Sequence, residues 1–133
     1  MLEVGTNNLV RDSVDTMKEK FERLFGHLVG RTNVKVVVAA LLPRGRDSGL
    51  ERKLRDVNGW LEGSCREKGW VFLSLWERFY GMDWMYKRDL LHPNWVGTRC
   101  MSREFVRVLS EIQGEAFGEG ILGKVVGEEV PLN

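Results

Sequence analysis

Apolar residues in the first third of the chain follow two patterns in succession. From Leu9 to Gly30 they fall at Val10, Val14, Met17, Phe21, Leu24 and Leu28, alternating steps of four and three, with Asp12, Asp15, Lys18 and Lys20 between them. That spacing predicts an amphipathic helix whose acidic first turns complement the helix dipole. From Val34 to Leu42 the chain changes to a nearly continuous apolar and β-branched run, VKVVVAALL, closed by Pro43. Such a run reads as a central parallel strand covered on both faces, and proline ends it because it has no amide to give to a ladder. Leu50, Leu54, Val57, Leu61 and Cys65 mark a second amphipathic helix ending near Lys68-Gly69, and Trp70 to Trp76 reads as the next buried strand. Strand, helix, strand at these lengths makes a right-handed crossover unit. The expected fold class is α/β, a parallel sheet flanked by helices.

The flanks carry less period. Leu2-Glu3-Val4 reads as the last residues of a strand and Gly5-Thr6-Asn7-Asn8 as the turn that ends it. Beyond Trp76, an aromatic-rich loop from Glu77 to Lys87 runs into Asp89-Leu90-Leu91-His92. Trp95 to Ile112 then makes a last helix, with Val96, Cys100, Phe105, Val108, Leu109 and Ile112 mostly on one side. From Gly114 onward, Gly114, Gly118, Gly120, Gly123 and Gly127 follow no clear period. Residues 1–112 are therefore expected to form one domain and 113–133 a loose Gly-rich tail.

Composition adds exclusions rather than a function. With 133 residues, 43% hydrophobic and 29% charged, the chain fits one ordinary globular domain. Lys+Arg 20 against Asp+Glu 19 leaves +1, a balance that calls for no nucleic-acid partner. Arg44, Arg46, Arg52 and Arg55 read as a solvated loop and helix face. Cys65 and Cys100 lack the spacing of a metal site or the density of a disulfide scaffold, so they are expected to be reduced. The N-terminus has neither a basic leader nor a long apolar core, and no run approaches the roughly 20 apolar residues of a membrane span. A cytoplasmic address with no membrane partner is the expectation. His27, near the end of the first helix, suits a role at the helix dipole.

The candidate chemistry lies in Asp89 and His92, three residues apart after the aromatic loop. A carboxylate at that spacing can hold one imidazole nitrogen and leave the other facing outward. On its own, Asp-x-x-His is more often a surface ion pair or a helix-capping contact than half of a reactive site. Ligand chemistry in open parallel sheets sits beyond the carboxyl ends of the strands, where this loop and the Gly5 turn both fall. Tyr80, Trp84 and Tyr86, just before Asp89, are candidates to line a pocket.

The order of these features resembles the SGNH, or GDSL, ester hydrolase family over residues 2–112. Gly5-Thr6-Asn7-Asn8 is similar to the family's Gly-x-Asn-Asp turn, which implies that Asn7 is an oxyanion donor set in a turn begun by Gly5. Asp89 and His92 match the family's Asp-x-x-His, with Leu90 where a glycine is common. The resemblance implies a truncated, flavodoxin-like three-layer fold and acyl transfer on a small ester or acylated substrate, with no cofactor and no metal. In such a site Asp89 accepts the Nδ1 proton of His92, and Nε2 takes a proton from a serine hydroxyl as it attacks the carbonyl. Asn7 donates to the developing oxyanion, a contact worth about 3 kcal/mol in comparable hydrolases.

The family's serine follows its first strand in a Gly-Asp-Ser turn, ahead of the Gly-x-Asn turn, and only four residues precede Gly5 here. The resemblance thus implies that the nucleophile lies outside this chain. It also implies a sheet edge left open to a partner segment or to self-association. Asp47-Ser48-Gly49 imitates the motif, but Ser48 stands five residues past Pro43 rather than on a tight strand-to-helix turn. Two alternatives stay open: a non-catalytic relative that binds a ligand or a protein through the old pocket, and a degenerate inactive fragment.

Overall fold

Ser13 starts the first helix. Its hydroxyl oxygen accepts a hydrogen bond from the Thr16 amide at 3.1 Å, satisfying one of the donors that a helix start leaves open. The computed structural model describes residues 2–3, 11–31, 34–45, 48–115 and 122–127 of the chain. In chain order they form β1 (Leu2–Glu3), α1 (Val14–Val29), β2 (Val34–Ala39), α2 (Ser48–Lys68), β3 (Val71–Leu73), α3 (Trp76–Phe79), a single 3-10 turn (Asp83–Met85), α4 (Trp95–Glu115) and β4 (Leu122–Gly127). His27 lies in the last turn of α1, and Asp12-Ser13 precedes that helix rather than lying inside it.

The sheet is parallel at every pairing, in the order β1-β4-β2-β3. β2 is central, and successive side chains of a strand point to opposite faces, so its run of apolar residues serves two cores. Val36 and Val38 pack with Met17, Phe21 and Phe25 of α1 and with Leu54, Val57 and Leu61 of α2. Val37 and Ala39 pack on the other side with Leu73, Phe79, Phe105, Val108 and Ile112. Helix, sheet and helix make the three layers expected from the apolar pattern. Each fully buried valine contributes roughly 1.5–3 kcal/mol of apolar burial. Gly69 (φ +69) closes α2 in the left-handed region, and the Trp70 amide reaches back to the Cys65 carbonyl at 2.9 Å, which turns the chain into β3.

Three further expectations change. The second buried strand is only Val71–Leu73: Leu75 leaves the extended region (φ −115, ψ −2) and Trp76 opens the short helix α3. Its apolar run to Trp76 reflects burial, since Leu75 and Phe79 are core residues whatever their backbone. The segment read as a loose tail supplies β4, whose backbone pairs with β2 from Val34↔Leu122 to Val38↔Val126 and with β1 at Leu2↔Val126. Glycines at 123 and 127 hid its pattern, because they lower strand propensity without forbidding a strand between two partners. The last helix also runs one turn beyond Ile112, to Glu115.

Candidate functional site

The stretch from Tyr86 to Pro93 is a closed loop at the carboxyl end of the sheet. Tyr86 and Pro93 form an antiparallel bridge, and the Lys87 amide donates to the His92 carbonyl at 2.8 Å. Within it, Oδ1 of Asp89 accepts from the amides of Leu91 (2.9 Å) and His92 (3.0 Å). Oδ2 of Asp89 lies 2.8 Å from Nδ1 of His92. A carboxylate only accepts, so the neutral ring carries its proton on Nδ1 and presents Nε2 as a base. The bond to His92, followed by the two amides, holds the Asp89 carboxyl well below the usual carboxylate range. Both side chains are 44% exposed, so the pair is open to a reactant from solvent.

The loop is braced from three sides. Leu90, where the resembled family often has glycine, takes the left-handed conformation itself (φ 55), at a cost of about 1 kcal/mol for a residue with a Cβ. Its carbonyl accepts from the Gly45 amide at 2.9 Å, and the Tyr86 hydroxyl donates to the Pro43 carbonyl. The segment after β2 therefore supports the loop that carries Asp89 and His92. That segment is itself fixed by Asn58 of α2: Oδ1 accepts from the Leu41 amide (2.8 Å) and Nδ2 donates to the Leu41 carbonyl (2.9 Å), as a neighbouring strand would. The third brace is Asn94. Its Oδ1 caps α4 by accepting from the Gly97 amide (3.0 Å), and its Nδ2 donates to the carbonyls of Trp84 (2.8 Å) and Tyr86 (3.1 Å). Gly97 lets the helix touch the loop, since a Cβ there would lie 2.4 Å from the Met85 carbonyl oxygen.

Beside the loop is a cavity of about 310 Å³, at the small end of ligand-sized pockets. Tyr80 and Tyr86 line it, with Trp76, Arg44, Ser48 and Leu90. Trp84 is not among its lining residues and is 60% exposed. Ser48 opens α2 and faces the cavity, whereas Asp89 and His92 do not line it. Gly5 and Asn7 lie outside the described residues. Among the described residues, no group of three or more His, Cys, Asp or Glu side chains is placed to hold a metal ion. Asp89 and His92 were legible from their spacing. Asn94 and Gly97 were visible only as a helix start, and Asn58, mid-helix, carried no signal, because its partner is a main-chain segment 17 residues away.

No protein-family model matches the chain, and no curated protein matches it in sequence. Among solved structures it is similar to the esterase domain of the ZfL2-1 ORF1 protein from the zebrafish ZfL2-1 retrotransposon, with 25% identity and a TM-score of 0.66. The match covers 83% of this chain and 71% of that one. This is an α/β domain of the esterase kind, in agreement with the SGNH/GDSL resemblance of its motifs. At that level it is a hydrolase-related domain.

Proposed function

We propose that the chain provides the acid–base half of an SGNH-type site acting on ester bonds. The observation that carries this reading is the 2.8 Å Asp89–His92 contact, with Asp89 fixed by two further amides and Nε2 left to work. Asp89 orients the ring and stabilises the imidazolium, while His92 moves a proton between nucleophile and leaving group. Asn7 is the oxyanion donor on the strength of the motif alone. No Gly-Asp-Ser turn follows a strand in this sequence, so in this reading the serine comes from another segment or another chain. The substrate is a small ester or acylated molecule, and no cofactor is called for.

The test is hydrolysis of a short activated ester by the purified chain, beside His92→Ala, Asp89→Asn and Ser48→Ala. A rate that falls in the first two and survives in the third supports the reading. Equal rates in wild type and His92→Ala mean that this chain alone is not an enzyme, and the test moves to a chain joined to a segment that carries a strand and a Gly-Asp-Ser turn. No His92-dependent activity there would remove the reading. Loss in Ser48→Ala would make Ser48 the nucleophile. One observation favours a second reading, a ligand-binding relative without catalysis: the cavity is lined by Ser48, Tyr80 and Tyr86 but not by His92. Thermal stabilisation by an ester analogue, kept in His92→Ala with no hydrolysis in either, would select it.

A further inference from the structure

The cavity beside the dyad loop combines a wall of rings with a rim of polar groups. Trp76 and Tyr80 are stacked in that wall, their ring centroids 5.5 Å apart and their planes 21° from parallel. Tyr80 is 46% exposed, so part of the wall is open to a ligand. Arg55 lies over both rings, 4.7 Å and 5.5 Å from their centroids, without itself lining the cavity. The rim comes from three elements: Arg44 from the segment after β2, Ser48 and Glu51 from the start of α2, and Asp83 from the 3-10 turn. The Glu51 carboxylate, hydrogen-bonded to the Tyr80 hydroxyl, pushes that phenol above its ordinary range, and Arg55 opposes the shift. The same carboxylate stands 3.6 Å from Arg55 Nε, and Arg44 and Asp83 have interactions of their own within the fold. Leu90 lines the cavity as well, so the cavity adjoins the loop that carries Asp89 and His92.

These groups discriminate among ligands. Arg44 and Arg55 balance Glu51 and Asp83, so neither an anion nor a cation meets a net charge opposite to its own. An alkyl chain would take the carboxylates and the guanidinium out of water and give them no partner, which costs the desolvation of each. A planar base would stack on the rings but carries its polar atoms only at its edge. A saturated ring with hydroxyls around it answers both parts of the cavity. Its C–H face lies on the aromatic wall, and each hydroxyl both donates and accepts, which suits carboxylates that only accept, a guanidinium that only donates and a serine that does both.

We propose that this cavity binds a neutral sugar, with Trp76 and Tyr80 against its C–H face and Ser48, Glu51, Asp83 and Arg44 on its hydroxyls, and that the ester brought to the dyad is an acylated sugar. The binding part stands without the ester-hydrolase reading; the substrate part rests on it. In that reading the cavity holds the alcohol side of the ester. The acyl–oxygen bond breaks, the sugar oxygen leaves with a proton delivered from Nε2 of His92, and water supplies the hydroxyl of the released acid. His92 meets only the oxygen of the breaking bond, so it has no need to line the cavity.

The experiment is saturation-transfer NMR of the purified chain with methyl β-glucoside, beside cyclohexanol and uridine. The expected result is transfer to the C–H protons of the glucoside and tighter binding of the glucoside than of cyclohexanol on titration. Tyr80→Ala should weaken glucoside binding about fivefold, in line with the loss of one ring contact. Glu51→Gln should weaken it about three- to tenfold, the gap between a charged and a neutral hydrogen bond. Circular dichroism shows whether each variant keeps the fold, and Ser48→Ala, at an exposed side chain, gives a third reading of the rim with a loss of about threefold. No transfer to the glucoside, or binding unchanged in all three variants, overturns the site. Cyclohexanol bound as tightly overturns recognition of the hydroxyls, and uridine bound where the glucoside is not overturns the sugar as ligand. His92→Ala should bind the glucoside as wild type does, which separates the two proposals. Acetate release from an O-acetylated methyl glucoside is then compared with release from cyclohexyl acetate, and the sugar ester should react faster. Equal rates with glucoside binding kept sink the substrate part alone, while no His92-dependent release, even from the chain joined to a Gly-Asp-Ser segment, sinks the hydrolase reading and leaves the sugar site standing.

Discussion

Both carboxylate oxygens of Asp89 are occupied, one by two amides and one by the His92 ring, and this gives the residue a testable acid–base signature. A carboxyl held below its ordinary range contributes stability that is fully present above its unfolded value, near pH 4, and is lost as pH falls through the lower folded value. Asp89 is therefore expected to titrate well below the other carboxyls when followed by NMR. In His92→Ala it should move up toward the ordinary range, because the first cause of the shift has been removed. An unmoved Asp89 would mean that the two amides alone hold it. Gly97 sets a second residue-scale expectation. A methyl 2.4 Å from the Met85 carbonyl oxygen forces the helix start and the loop apart, so Gly97→Ala should cost about 1–3 kcal/mol in denaturant unfolding and slow any ester hydrolysis.

At the scale of elements, two asparagines do what secondary structure does elsewhere. Asn58 pairs with both main-chain groups of Leu41 and so extends the sheet by a side chain from α2. Asn58→Ala leaves those groups partly buried without partners, and about 1–3 kcal/mol of stability should go with it in thermal or chemical unfolding. Because the same segment supports the Leu90 carbonyl through Gly45, the Asp89–His92 geometry should loosen in that variant while Asn58→Asp keeps half of the contact. Asn94 joins α4 to the 3-10 turn and the dyad loop, so Asn94→Ala removes a helix cap, worth typically about 1 kcal/mol, together with two loop contacts. The outcome to look for is a loss of activity larger than the loss of stability accounts for.

At the scale of the molecule, the sheet brings the two ends of the chain together. β4 lies between β1 and β2, so the strand read first in the sequence reaches the sheet only through the strand read last. A chain ending after residue 115 would leave one edge of β2 without its partner, and an exposed apolar strand edge pairs with whatever edge it meets. Such a chain is expected to sediment as dimers or larger species where the full chain does not, and monomeric behaviour of both would count against the observed strand order.

The sequence by itself determined the apolar framework: the steps of four and three that make α1 and α2, the unbroken run of β2 that demands cover on both faces, and the Asp-x-x-His spacing that lets one carboxylate hold one ring. These are local patterns, set by the 3.6-residue and two-residue periods of the backbone. Only the tertiary structure decided where β4 pairs, how Asn58 and Gly45 brace the dyad loop, that Leu90 adopts the conformation usually left to glycine, and that Trp84 and Trp95 face solvent. Each of these depends on groups far apart in sequence meeting in space. No periodicity records such a meeting, because the backbone repeat fixes which face a side chain takes but not what lies across from it.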